Sequence, residues 1–335
     1  MNRWKDHILE WRDELLHRAR ALGDLFLPRT CVVCGRTLGL RERHLCLACA
    51  ADLPYTRNWL QVHNPLADRF NAVLERHRET EPMDYAFAAA LMYYKGDYRN
   101  IPRALKYHDN LDIGRYFGTL LGRRLVSAPH FRDVDLIIPV PLHWTRRRSR
   151  GYNQAEILAR ALADAFASGP ANSGATGIPG VASFPVVPDV APSAVIPGIA
   201  SSTVIPGSTR NLIVHPACRP DLLVRSRRTR TQTRLSVEQK ARNVASAFQV
   251  PEQFPFFFRL RKALFPNHSQ GMSIKPSPES PRTVLASARH ILLVDDTFTT
   301  GATLYACYAA LRPFTSARIS VATLAAVEGT PSGGP

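Results

Sequence analysis

Apolar residues recur at helical spacing through residues 3–27, at Trp4, Ile8, Trp11, Leu15, Leu16, Leu22, Leu25 and Phe26, and Pro28 sets the stop. Acidic side chains share this segment (Asp6, Glu10, Asp13, Glu14, Asp24) and disfavour an anionic membrane surface, so the pattern predicts a docking helix. From Asp84 the pattern changes. The stretch "DYAFAAALMYYKGDYRNIPRALKYHD" reads as two short strand-like runs around a Lys-Gly-Asp turn, followed by a helix. Residues 134–143, "VDLIIPVPLH", form the continuous apolar run of a buried strand. A helix opens at Asn153, with Glu156 three residues on as in a capping box and Ile157, Leu158, Ala161, Leu162 and Phe166 on one face. Strand, polar loop and helix recur over 291–312. Such alternation predicts an α/β domain with a mostly parallel sheet flanked by helices.

Two stretches break the pattern. Residues 168–217 are rich in Gly, Pro, Ser and Val and repeat "GIPG", "VIPG" and "VIPG", which predicts an exposed, disordered, low-complexity insert. Residues 252–287 contain "FPFFFRLRKALF" and then a Pro/Ser-rich run, and form a second insert. The organisation expected is an N-terminal helix (1–28), a cysteine module (29–55), a linker (56–83) and an α/β domain (84–327) interrupted by the two inserts.

Composition narrows the function classes. A chain of 335 residues, 45% hydrophobic, has enough apolar material for a full core. No apolar run reaches the roughly 18 to 20 residues of a membrane-spanning helix, and the first twenty residues are too charged for a signal peptide, so a cytoplasmic protein is expected. The formal net charge of +16 suggests a polyanionic partner. Basic residues cluster in "RRRSR" at 146–150 and in "RPDLLVRSRRTRTQTR" at 219–234. Either cluster alone reads equally as a solvated face.

Cys31, Cys34, Cys46 and Cys49 form two Cys-x-x-Cys knuckles, "CVVC" and "CLAC", about a dozen residues apart. With no export signal expected, this spacing points to tetrahedral Zn2+ in a closed structural site. Cys218 and Cys307 stand alone and are expected to be inert.

The stretch "HILLVDDTFTTGATL" at 290–304 ends an apolar strand in two carboxylates and passes through threonines and a glycine into a helix. In α/β sheets ligands bind beyond the carboxyl ends of strands, and successive loop N–H groups, a glycine and a helix N-terminus make an anion site. A phosphate fits the loop, and carboxylates beside it would accept hydrogen bonds from vicinal hydroxyls. The bland alternative is an acidic turn.

The ordered set V-D-D-x-x-T-T-G-x-T resembles the loop of type I phosphoribosyltransferases that binds phosphoribosyl pyrophosphate (PRPP). That resemblance implies that Asp295 and Asp296 hold the ribose hydroxyls, that Thr297, Thr299, Thr300, Gly301, Ala302 and Thr303 cradle the 5-phosphate, and that Mg2+ accompanies PRPP. The stretches "IIPVPLHWTRRRSRGYNQAEILARALA", "RTRTQTRLSVEQKARNVASAF" and "YYKGDYRNIPRALKYHDN", with the cysteine module, are similar to the ComF family over residues 25–165, 219–250 and 289–327. One departure is Gln239-Lys240, where that family more often has Glu-Arg. By the same resemblance Val140, Pro141 and Leu142 with Arg146, Arg147, Arg148 and Arg150 form the pyrophosphate-side loop. Arg228, Arg230, Thr231 and Gln232 belong to a mobile loop that closes over the site.

Two functions follow from the resemblance. One is handling of single-stranded DNA in natural transformation, with PRPP as a regulatory ligand and the competence helicase and uptake machinery, or a second copy of the chain, as partners. The other is transfer of 5-phosphoribosyl from PRPP to a nitrogen acceptor with release of pyrophosphate. Arginines close to Trp144 and Tyr152 suit a stacking surface for single strands, and they suit pyrophosphate equally well. A third reading, a zinc-dependent scaffold with an inactive domain, stays open.

Overall fold

The computed structural model describes residues 28–77, 84–107, 111–169, 216–226, 247–252 and 280–329. The expected N-terminal helix and most of both inserts lie outside the described residues. The chain divides into two compact units, and the first includes the cysteine module. In it, Thr30 and Thr37 form an antiparallel bridge and a short helix, α1 (Leu47–Ala51), follows the second knuckle. Glu42 ties the module together, because its carboxylate accepts the Gly39 and Leu47 amides at 2.7 and 2.6 Å. These two bonds hold its carboxyl below the usual range.

The second unit starts at Asp52. Its elements are α2 (Pro65–Arg76), β1 (Ala88–Tyr93), α3 (Asn100–Tyr107), α4 (Leu111–Ser127) and β2 (Leu136–Pro139). Next come α5 (Trp144–Arg150), α6 (Gln154–Ala167), β3 (Ala217–Cys218), β4 (Val224–Arg225) and β5 (Phe248–Gln249). The chain closes with α7 (Pro281–Ser287), β6 (His290–Phe298), α8 (Ala302–Leu311) and β7 (Arg318–Ala326). A five-stranded sheet has the order β1-β7-β6-β2-β3, every pairing parallel, and β4 and β5 form a separate antiparallel ribbon.

A sheet covered on both faces takes apolar side chains at every position, and β6 and β7 are apolar and buried over most of their length. Alternation along the strands divides them. Ile291, Leu293, Ile319 and Val321 join Phe70 and Leu74 of α2, Leu285 of α7 and Leu304 and Leu311 of α8 in one core. The other face receives α6, which packs on β6 and β2 and is backed by α4. That helix pair is close: a Cβ on Gly118 would lie 2.8 Å from the Leu158 carbonyl oxygen, and one on Gly122 would lie 2.7 Å from Ala165 Cβ.

Four segments differ from the sequence reading. The second strand-like run expected after the Lys-Gly-Asp turn is instead a 3-10 turn, Gly96–Arg99, that runs directly into α3, so only the first run forms a strand. Residues 56–83 were expected as a linker, yet 65–76 form α2. Asn64 caps it by accepting the Leu66 and Ala67 amides, Pro65 starts it, and the Asn64 side-chain amide donates to the Ala88 carbonyl on β1. The end of the second insert forms α7, which Ser280 caps and Leu285 fixes to the core. Ala217, at the edge of the first insert, pairs with Leu136 in the sheet.

Candidate functional site

In the cysteine module the four thiol sulfurs lie within 4.8 Å of one another. Four sulfurs about 2.3 Å from one zinc at tetrahedral angles would sit roughly 3.8 Å apart, and Cys34 Sγ is 3.8 Å from Cys46 Sγ. Backbone amides face the sulfurs: Cys46 N donates to Cys31 Sγ at 3.4 Å and Cys49 N to Cys46 Sγ at 3.5 Å. Burial raises the Cys31 thiol, but amide and thiol hydrogen bonds outweigh it and bring it down to about 7. Such a donor set could bind a metal such as zinc.

The second candidate site lies in the sheet unit. From β2 the chain moves outward to β3, and from β6 it moves outward the opposite way to β7. The boundary between β2 and β6 is therefore the switch point of the sheet, the place where open α/β sheets take ligands beyond the carboxyl ends of their strands. The two neighbours of β6 pair with it over different lengths. On one side β6 stays paired with β7 through Phe298, whereas on the other β2 ends at Pro139 opposite Val294. Only the Val140 amide follows, donating to the Val294 carbonyl at 2.8 Å. The strand therefore continues past the expected loop start at Thr297, because β7 still pairs with it, and Asp295 to Phe298 project beyond β2.

Adjacent strand residues face opposite sides. Asp295 lies in register with Ile291 and Leu293, on the side of the buried Cys307 of α8. Asp296 turns to the other side and meets Lys106 of α3, with Nζ 3.1 Å from Oδ2. Burial and the neighbouring Asp296 charge push the Asp295 carboxyl up to about 7, against the pull of its own hydrogen bond and of Lys106 and Arg225. Near neutrality one carboxyl can hold a proton beside a charged one.

Beyond the strand, Thr299 and Thr300 bend the chain to Gly301, which has φ +80 and caps α8. A Cβ on Gly301 would stand 3.0 Å from the Phe298 ring, so backbone angle and space both require glycine there. The Ala302 amide meets Thr300 Oγ1 at 3.4 Å, and Thr303 lies in the first turn of α8. Arg69 of α2 braces this bend, donating to the Thr299 carbonyl at 2.6 Å and the Val327 carbonyl at 2.7 Å, with its guanidinium over the Phe298 ring.

Residues 140–150 follow β2 at the switch point. Val140 is buried, and its carbonyl accepts from Asn153 Nδ2 at 3.0 Å, while Pro141 and Leu142 are half-buried. The arginine run forms α5, capped by His143 and stopped by Gly151 at φ 76. Arg148 is exposed and Arg146 and Arg150 are half-buried, whereas Arg147 lies 3.6 Å from Glu156, which also pairs with Arg160 at 2.8 Å. Asn153 caps α6, and Glu156 forms ion pairs where a capping box was expected. Of the two aromatics beside the arginines, Trp144 is 64% exposed, but the Tyr152 hydroxyl donates to the Leu105 carbonyl at 2.6 Å.

Arg228, Arg230, Thr231 and Gln232 lie outside the described residues. Arg219, in the same basic cluster, is committed to a buried two-point pair with Asp221 at 2.9 and 3.0 Å. Sequence reading missed three cations that belong to the site: Lys106, Arg69 and Arg225, whose charge reaches Asp295 from the β4–β5 ribbon. Direct ligation of Mg2+ by the acid pair does not fit these neighbours, since Asp296 already holds an ammonium and Asp295 is drawn toward its neutral form. No protein-family model matches the chain, and no curated protein matches it.

Proposed function

We propose that the crevice between β2 and β6 binds a 5-phosphorylated ribose, with PRPP as the ligand, in a type I phosphoribosyltransferase-like domain of ComF type. The observation that carries this reading is the juxtaposition at one switch point of the acid pair Asp295/Asp296 with the Thr299–Thr300–Gly301 bend that opens α8. The bend offers hydroxyls and helix amides to a phosphate. Each aspartate is anchored through one oxygen, Asp295 Oδ1 by the Asp296 amide at 2.8 Å and Asp296 Oδ2 by Lys106. The remaining oxygens would accept from two ribose hydroxyls, and Arg146, Arg148 and Arg150 would supply guanidiniums to a pyrophosphate.

In the cell the domain serves cytoplasmic handling of single-stranded DNA during natural transformation, with PRPP as its regulatory ligand. Trp144, exposed beside the arginines of α5, supports that role because a base can stack on it while phosphates meet the guanidiniums. Cys31, Cys34, Cys46 and Cys49 would hold a structural Zn2+, since four thiolates complete a tetrahedral shell. The chain purified without chelator then carries one zinc, and less than about half an equivalent would overturn a structural role.

The second reading is phosphoribosyl transfer to a nitrogen acceptor, and the presence of both aspartates with the whole Thr-Thr-Gly-Ala-Thr run favours it. One set of measurements tests and separates the readings. PRPP titration should show saturable binding that Asp295→Ala/Asp296→Ala abolishes. Pyrophosphate release with a nucleobase or amine present would establish transfer. Affinity for single-stranded DNA no better than for heparin across a salt series would remove the DNA role.

A further inference from the structure

We propose that Lys106 is a positioning residue of this site: from a separate helix it holds the Asp296 carboxylate through Oδ2 and presents Oδ1 to a ribose hydroxyl. The proposal rests on the phosphoribosyl reading of the crevice and adds a residue to it.

Lys106 lies in the last turn of α3, and its ammonium is 3.1 Å from Asp296, with the two side chains 28% and 15% exposed. A pair this enclosed is less screened than an ordinary surface ion pair. A lysine stem loses much of its rotamer freedom when held in one geometry, so its backbone needs a fixed base. That base is present: Leu105 and Ile101 are fully buried, and the Leu105 carbonyl receives the Tyr152 hydroxyl at 2.6 Å. Tyr152 follows directly on α5 and Gly151, so the end of α5 and the turn that carries the lysine are joined through one hydrogen bond.

The strand separates the two aspartates chemically. Asp295 is enclosed on the Cys307 side with Oδ1 engaged by backbone, while Asp296 faces Lys106. Among the described residues the charged and titratable groups around the pair are Lys106 from α3, Arg225 from β4, Arg146 of α5 beside Arg225, and the Cys307 thiol from α8. Among the described residues Lys106 is the cation in contact with Asp296, and its charge also pulls against the burial that raises the Asp295 carboxyl. Without Lys106 the pair keeps its proton to higher pH, and a ligand hydroxyl that needs an ionised acceptor binds less well below neutrality.

The test is calorimetric titration of the full chain with ribose 5-phosphate in EDTA, and with PRPP, between pH 6 and 9. Wild type is compared with Lys106→Met, Lys106→Gln, Lys106→Arg, Asp296→Asn and Lys106→Met/Asp296→Asn, each checked for folding by thermal unfolding. Lys106→Met should weaken binding roughly tenfold at pH 6.5 and less at pH 8.5, moving the acid limb of the affinity profile upward. Lys106→Arg should restore most of the affinity, and adding Lys106→Met to Asp296→Asn should cost nothing further. The glutamine variant keeps the comparison intact if the methionine variant does not fold. Binding by wild type with unchanged affinity and pH profile in the Lys106 variants overturns the role of Lys106 alone. Absence of binding by wild type overturns the phosphoribosyl reading and this inference with it.

Discussion

At the amino end of β6, His290 is 1% exposed and both ring nitrogens are engaged, Nδ1 with Asp133 at 2.7 Å and Nε2 with the Ser320 hydroxyl at 2.8 Å. At the carboxyl end of the same strand stand Asp295, Asp296 and Thr297, and there the Thr297 hydroxyl is buried with no hydrogen-bond partner among the described residues. Serine, histidine and aspartate at hydrogen-bonding distance are the residue types of a hydrolytic relay. Here they are a clasp between strands, because Ser320 is completely buried in the sheet where no substrate reaches it. What distinguishes the two ends is the accounting of polar groups. At the closed end the His290 ring and the Ser320 hydroxyl satisfy each other, whereas at the open end the Thr297 hydroxyl has no such partner among the described residues.

The sharpest way to break this contrast is to neutralise each end in turn. Asp295→Asn/Asp296→Asn should reduce affinity for PRPP about a hundredfold or more, since two hydrogen bonds from ligand hydroxyls to carboxyl groups are lost or reversed. Thermal unfolding of the same variant at pH 8 should show no loss of stability, because an enclosed carboxylate has been removed. A stability loss with unchanged binding would make the acid pair a clasp like the one at the other end.

His290→Leu should do the converse. It leaves the Ser320 hydroxyl buried without a partner, and a cost of about 2 kcal/mol is expected in denaturant unfolding. Ligand affinity should stay within about twofold, because the change lies at the far end of a nine-residue strand.

The ends should also answer pH with opposite slopes. Burial lowers the His290 ring below its usual value, despite Asp133, so the native state stays neutral where the unfolded chain binds a proton. Its contribution is complete above about pH 6.5 and is lost as pH falls. Asp295 is pushed up to about 7, so the native state holds a proton that the unfolded chain has released. That contribution is present below about pH 4 and is lost as pH rises through about 7. Unfolding curves from pH 5 to 9 should lose their acid slope in His290→Leu and their neutral slope in Asp295→Asn.

Much of this was legible beforehand. The apolar run into Asp295-Asp296, the polar bend and the following helix predicted a strand, a bend and a helix that are all present, and the cysteine spacing predicted the sulfur cluster. Helix α2 was legible and missed: Asn64-Pro65 is a cap followed by Leu66, Phe70 and Leu74 at four-residue spacing. Arg69 and Lys106 were not legible. Their partners lie 230 residues away at Thr299 and far along the chain at Asp296, and only the order of strands in the sheet brings them there. Local periodicity carries the elements, whereas such contacts depend on topology.

The smallest effect should come from the hinge between strand and helix. Gly301 adopts φ +80, where an L-residue costs roughly 1 to 2 kcal/mol, and a Cβ would press on Phe298 at 3.0 Å. Phe298 cannot yield freely, because it packs edge-on against Phe70 and carries the Arg69 guanidinium on its ring. Gly301→Ala should therefore lower stability by about 1 kcal/mol and weaken PRPP severalfold by turning the first amides of α8 away from the phosphate. Ribose without a phosphate should be affected less than ribose 5-phosphate in competition experiments. Equal losses for both would mean that the bend serves the whole crevice, and that the open end of β6 is not divided between a sugar-holding strand and a phosphate-holding turn.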